Sequence, residues 1–209
     1  MPDQDLLSRE TVAHFRGAKL ALRPMHVWAL RVRLQLARRI RDLALFDLAL
    51  DSKLRGCDVV TLRLNDIIVG GTVRCRAMVL QRKTGRPVQF EITDQTRRSL
   101  SDWLQVRKLS ASEWIFPSRM RLNHHLSTRQ YARLVKQWVD LLGLDSASYA
   151  THSIRRTKVA LLYRKTGNAR ILREVECPTR NLGMSRLLRM PFSAKGGITS
   201  SAERTSAFK

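Results

Sequence analysis

Three separated cationic clusters carry the chemistry most visible in this chain. Ser52-Lys53-Leu54-Arg55-Gly56-Cys57-Asp58 comes first, Gln81-Arg82-Lys83-Thr84-Gly85-Arg86 follows, and His152-Ser153-Ile154-Arg155, continued by Arg156-Thr157-Lys158, stands far downstream. Side chains of these types suit a phosphodiester. Charge on the non-bridging oxygens is redistributed when phosphorus is attacked, so the transition state calls for positive donors fixed in advance. An arginine fork can bond two such oxygens at once and does not lose its charge. A lysine held at the tip of a tight hairpin can pass a proton to a leaving alkoxide, and a histidine can donate to the phosphate or accept the nucleophile's proton.

The elements that must position these groups can be read from periodicity. From His26 to Leu50, apolar residues recur at helical spacing with arginines between them, which predicts two amphipathic helices or one bent helix. Val59 to Leu64 continues the helical region, and Gly70-Gly71 punctuates it. Val73 to Leu80 and Val88 to Ile92 read as the strands of a small antiparallel hairpin, with Lys83-Thr84-Gly85-Arg86-Pro87 as its turn. Thr93-Asp94 can cap a helix through Leu104, and Trp114 to Ser118 reads as a short extended link. Ser127-Thr128 opens a helix with the stripe Tyr131, Leu134, Val135, Trp138 and Leu141, stopped at Gly143. Ser153 to Tyr163 reads as the last helix. The expected fold class is therefore mainly α with a small antiparallel β-hairpin or sheet.

Composition narrows the partners. The 209 residues, 44% of them apolar, suffice for one domain with a full core. Lys and Arg number 39 against 17 Asp and Glu, a net charge of +22, so the surface gathers polyanions, and nucleic acid is the first partner to consider. Three widely spaced cysteines, Cys57, Cys75 and Cys177, without a Cys-x-x-Cys pair, predict neither a disulfide framework nor a zinc site. The apolar run Leu43 to Leu50 is broken by Asp47 and too short to span a bilayer, so a soluble cytoplasmic protein is expected, with no membrane partner. Trp28, Trp103 and Trp138 are expected in the core, and Tyr163, about two helical turns beyond Arg155, reads as a packing residue rather than a relocated nucleophile. Arg38, Arg39 and Arg41 read either as a solvated helix face or as a phosphate-tracking row.

The order of the clusters resembles the arginine, lysine and His-x-x-Arg boxes of the tyrosine recombinases, the phage-integrase family. The resemblance implies that family's mainly α catalytic domain over residues 25–183, with residues 1–24 as a flexible leader and 184–209 as a flexible basic tail. It implies a phosphate pocket of Arg55, Lys83, His152 and Arg155, with Arg156, Arg86 and Arg82 as further phosphate contacts. The first arginine of the family follows a Gly-Leu-Arg-like turn, and here Lys53 stands in place of the glycine. The family's Leu-Gly-His segment is absent after Arg155, and Asn181 occupies the expected position of the nucleophilic tyrosine. An asparagine amide has no hydroxyl to deprotonate and cannot attack phosphorus.

The resemblance thus implies double-stranded DNA as partner, other recombinase protomers as companions, and site-specific recombination or integration as the inherited activity, here expected to be catalytically impaired. No metal, cofactor or small-molecule ligand is expected, because arginines and a lysine take the place of a metal clamp. The alternatives are a non-catalytic DNA-binding remnant or competitor and a basic RNA-binding protein, the last predicting no convergence of Arg55, Lys83 and Arg155.

Overall fold

The structure, a computed structural model, describes residues 19–107, 112–121 and 123–166. Asn181, Cys177, the expected tail and residues 1–18 of the expected leader lie outside the described residues.

The helices are α1 (Pro24–Leu36), α2 (Ile40–Ser52), α3 (Gly56–Val60), α4 (Leu64–Ile67), α5 (Asp94–Arg107), α6 (Thr128–Leu141) and α7 (Thr151–Thr166). Between α4 and α5 run β1 (Ile68–Val69), β2 (Thr72–Val73), β3 (Arg76–Leu80) and β4 (Pro87–Glu91). The described part is mainly α with small antiparallel sheets, as the sequence leads one to expect.

α2 is the central helix. Leu43-Ala44-Leu45-Phe46 and Leu48-Ala49-Leu50 are apolar on every side, a pattern that fits only a helix covered all round, and every residue from Arg41 to Ser52 is buried. α1, α5 and α7 pack on it. Its buried acids are answered from those neighbours: Arg31 of α1 reaches Asp47 at 2.7 Å, and Lys158 of α7 reaches Asp51 at 2.7 Å.

The choice between one bent helix and two is settled at Arg38, which takes a left-handed φ of 50°. Arg39 N–H donates to the Leu34 carbonyl and Arg38 N–H to that of Gln35, both at 2.9 Å, which is the Schellman way of ending a helix. An arginine rather than a glycine fills the left-handed position, so the stop carries no sequence signal.

Two two-stranded sheets form where one hairpin was expected. The run from Val73 does not continue unbroken: Thr72–Val73 folds back on Ile68–Val69 through Gly70-Gly71, while β3 pairs with β4 from Arg76↔Glu91 to Leu80↔Pro87. Gly70 and Gly71 have φ of 57° and 76°, the geometry of a primed two-residue turn that needs residues without a Cβ. Likewise, the helical run expected from Val59 is interrupted by Thr61–Arg63, where Arg63 bridges to Trp114. Ser127 caps α6 by accepting the Gln130 N–H at 3.1 Å, and Trp138 and Tyr131 of its stripe are among the largest fully buried side chains.

Three core or surface expectations are corrected. Trp28 is 66% exposed on the outer side of α1, because Val27, Leu30 and Leu34 already supply that helix's buried stripe. Arg41 is neither solvated nor free to track DNA: it is 9% exposed, and its Nε and Nη2 lack a partner among the described residues. Burial and then the nearby Arg119 lower its guanidinium pKa. Tyr163 is 41% exposed near the end of α7 rather than packed.

Candidate phosphate-binding site

Arg55 stands at the N-cap of α3, directly after the turn that ends α2. Its Nη1 donates to Gln81 Oε1 at 2.7 Å, and Gln81 opens the turn that carries Lys83. The same amide oxygen accepts the Thr84 hydroxyl at 2.9 Å. A second tie runs from the Arg82 N–H to Asp58 Oδ1 at 3.0 Å, with Asp58 buried in α3. Within the turn, Gln81 N–H donates to the Arg86 carbonyl at 3.0 Å and Gly85 N–H to the Gln81 carbonyl at 2.8 Å. The hairpin is therefore fastened to α3 at its base, while Arg82, Lys83 and Arg86 are all exposed at its tip. This leaves three cations accessible on a turn whose root is fixed beside Arg55.

α7 carries the His-x-x-Arg residues on its first two turns. Ser153 Oγ accepts the Ala150 N–H at 3.0 Å, the reciprocal half of a helix-start box, and Thr157 Oγ1 donates to the Ser153 carbonyl at 2.7 Å. His152 is exposed and Arg155 half-buried. The start of α3 meets the start of α7 at Gly56. A Cβ there would lie 3.2 Å from the Tyr131 ring and 3.8 Å from the Thr151 Cβ, so only glycine allows this approach without displacing the ring. Arg55 thus adjoins the glycine at which α3 comes close to α6 and α7, and His152 follows Thr151, the residue of α7 nearest to it in that approach.

Lys53 joins the two halves. It ends α2 with a left-handed φ of 53°, and its ammonium is half-buried. Burial, then the charges of Lys158 and Arg155, lower its pKa to about 8 against the pull of Asp51. Arg155 is therefore electrostatically close to the turn that bears Arg55.

The structure brings Arg55 to the base of the Lys83 hairpin, sets the His152 end of α7 against α3, and puts Arg155 within the field of Lys53. Arg156 has another role besides any anion contact: its Nη1 donates to the Lys19 carbonyl at 3.0 Å. Residues at the end of the expected leader are held there as well, with Leu22 in the core and its N–H donating to Thr157 Oγ1 at 2.9 Å. Tyr131 is fully buried and burial pushes its phenol pKa up, so it is no substitute nucleophile. Lys53 and Gln81 were not singled out as site residues by sequence reasoning. Lys53 did leave a signal, as the lysine in a glycine's place, whereas a glutamine before an Arg-Lys pair has none. Among the described residues no group of three His, Cys, Asp or Glu side chains is arranged to hold a metal ion.

Comparisons with known proteins bear on the family and the fold. The sequence profile of the phage integrase family matches residues 30–175, well over half of the chain. No curated protein matches the sequence. Among solved structures, XerA recombinase is similar with a TM-score of 0.63 at 15% identity, over 77% of this chain and 57% of that one. XerH recombinase in a post-cleavage complex with palindromic difH substrate gives 0.63 at 17%, over 82% and 50%. The lambda integrase catalytic core gives 0.54 at 17%, over 76% of this chain and 93% of that one. The chain spans about half the length of the two Xer recombinases, and nearly all of the isolated catalytic core.

Proposed function

The chain belongs to the phage integrase family, and from that premise we propose that it binds duplex DNA by gripping a backbone phosphate between Arg55, Lys83, His152 and Arg155. The observation that carries this reading is the Arg55 to Gln81 hydrogen bond at 2.7 Å, which locks one cation box to the root of the other. A phosphate held there meets Arg55 already fixed by Gln81, with Lys83, Arg82 and Arg86 exposed on the adjoining hairpin. The solved XerH relative is a complex with difH substrate, which supports DNA rather than RNA as the polyanion. Other protomers of the same kind are natural companions, as in the lambda integrase dimer bound to a core site.

The inherited activity is site-specific recombination or integration, and it is impaired in this chain. Asn181, at the position where the sequence leads one to expect the tyrosine, offers no hydroxyl to attack phosphorus. The test is to incubate the full chain with a nicked suicide duplex carrying its recombination site. Duplex binding without a covalent protein–DNA adduct is the expected result. A trapped adduct, with the linked tyrosine located by mass spectrometry, would show that a nucleophile has been recruited from elsewhere. Failure to bind the duplex at low salt would overturn the DNA reading itself.

A further inference from the structure

A lysine rarely adopts a left-handed backbone conformation, which is strained for residues with a Cβ, and such strain concentrates where a side chain has a task. Lys53 is in that conformation, with φ 53°, at the junction of α2 and the Arg55 turn. Its ammonium is half-buried, and no hydrogen bond to it is made among the described residues. The groups that face it are Asp51 of its own helix and Lys158 and Arg155 of α7, while Arg55 stands two residues on. Asp51 cannot serve as its counter-ion alone. That carboxylate already accepts Lys158 Nζ at 2.7 Å, the Thr93 N–H at 3.0 Å, and the Thr93 and Thr96 hydroxyls at 2.6 Å. The Lys53 and Lys158 ammoniums thus depend on one acid that already accepts four hydrogen bonds.

We propose that Lys53 is a further phosphate-contacting residue of this site, its excess positive charge answered by the same DNA phosphate that Arg55 and Arg155 grip. The proposal rests on the phosphate-pocket reading above. It accounts for a lysine where a glycine would relieve the backbone: the side chain supplies a charge from the half-buried turn that ends α2, whereas Lys83 supplies one from a solvent-exposed turn. Burial and its cationic neighbours hold the free ammonium at a pKa of about 8, and an anion alongside must raise it. DNA binding then takes up a proton above that pH, so affinity falls as pH rises, by at most about tenfold per pH unit for one coupled proton.

The test is fluorescence anisotropy with a labelled duplex oligonucleotide and the full-length chain, at pH 7 and 9 and over a range of salt. Lys53→Gly should weaken binding at pH 7, reduce the salt slope by about 1, and flatten the pH dependence, while thermal stability holds or rises because the backbone strain is gone. Lys53→Arg should keep the affinity at pH 7 but lose the fall toward pH 9, since its charge does not titrate there. If Lys53→Gly binds like the wild type in all three respects while Arg155→Ala binds more weakly, Lys53 is only a structural residue and the proposal is wrong. If Arg155→Ala and Arg55→Ala are also indistinguishable from the wild type, the pocket reading itself fails and the proposal falls with it.

Discussion

Lys158 Nζ lies 2.7 Å from Asp51 Oδ1, across the contact between α7 and the central helix and one turn beyond Arg155. Asp51 also receives Thr93 and Thr96, so a single buried carboxylate sets α2, the start of α5 and α7 relative to one another. The position of Arg155 along the site is fixed through this junction, since the two residues share one helix.

Breaking that junction should be costly. Asp51→Ala leaves the half-buried Lys158 ammonium and the Thr93 and Thr96 hydroxyls without their acceptor, and truncating the buried partner of such an ion pair costs up to about 3 to 5 kcal/mol. Urea denaturation at neutral pH would measure the loss. Burial is the largest single influence on Asp51 and pushes its pKa up, but Lys158 and the threonine hydrogen bonds together outweigh it, leaving the carboxyl below its ordinary value. The stability it contributes is therefore complete above the unfolded value of about 4 and is lost as pH falls through the lower folded value. The gap between wild type and Asp51→Ala should narrow in that acid range; a gap that stays constant down to the acid transition would contradict the assignment.

Gly56→Ala tests the close approach of α3 to α6 and α7. The new methyl would stand 3.2 Å from the Tyr131 ring, which is itself fully buried and cannot swing away. Overpacking of this kind costs about 1 to 3 kcal/mol. A melting curve unchanged from the wild type would mean that the ring yields more easily than its burial suggests.

Arg41→Met should act in the opposite direction. Its guanidinium is buried with two nitrogens lacking partners among the described residues, and replacing a poorly compensated buried charge by an apolar side chain of similar volume is neutral or stabilising by about 1 to 4 kcal/mol. Denaturant midpoints of the two proteins decide the matter. A clear loss of stability would show that Arg41 is better satisfied than its geometry indicates.

Much of this architecture is legible in the sequence where local chemistry and tertiary packing agree. Ser127 caps α6 in the expected way, the Tyr131 and Trp138 stripe is buried, and Thr93 starts α5 by accepting the Thr96 N–H at 3.4 Å. The boxes holding Arg55, Lys83, His152 and Arg155 are recognisable from order and residue type alone. What escaped notice lies where a residue acts against its type. Arg38 and Lys53 end helices in left-handed conformations that glycine usually fills, so neither stop announces itself. β1 and β2 are two residues each, too short for an alternating pattern, and only their glycine pair hints at a turn. Trp28 is exposed although tryptophan is ordinarily a core residue, because the stripe it would have joined is complete without it.

The central claim is that a duplex phosphate is gripped at the Arg55–Arg155 site, and salt titration of duplex binding by the wild type and Arg155→Ala tests it most directly. With about 6 to 10 phosphates neutralised, wild-type affinity should fall about 10³- to 10⁵-fold between roughly 50 and 200 mM salt. Arg155→Ala should bind more weakly at every salt concentration, with a slope smaller by about 1. Superimposable curves for the two proteins, or an affinity insensitive to salt, would contradict the account.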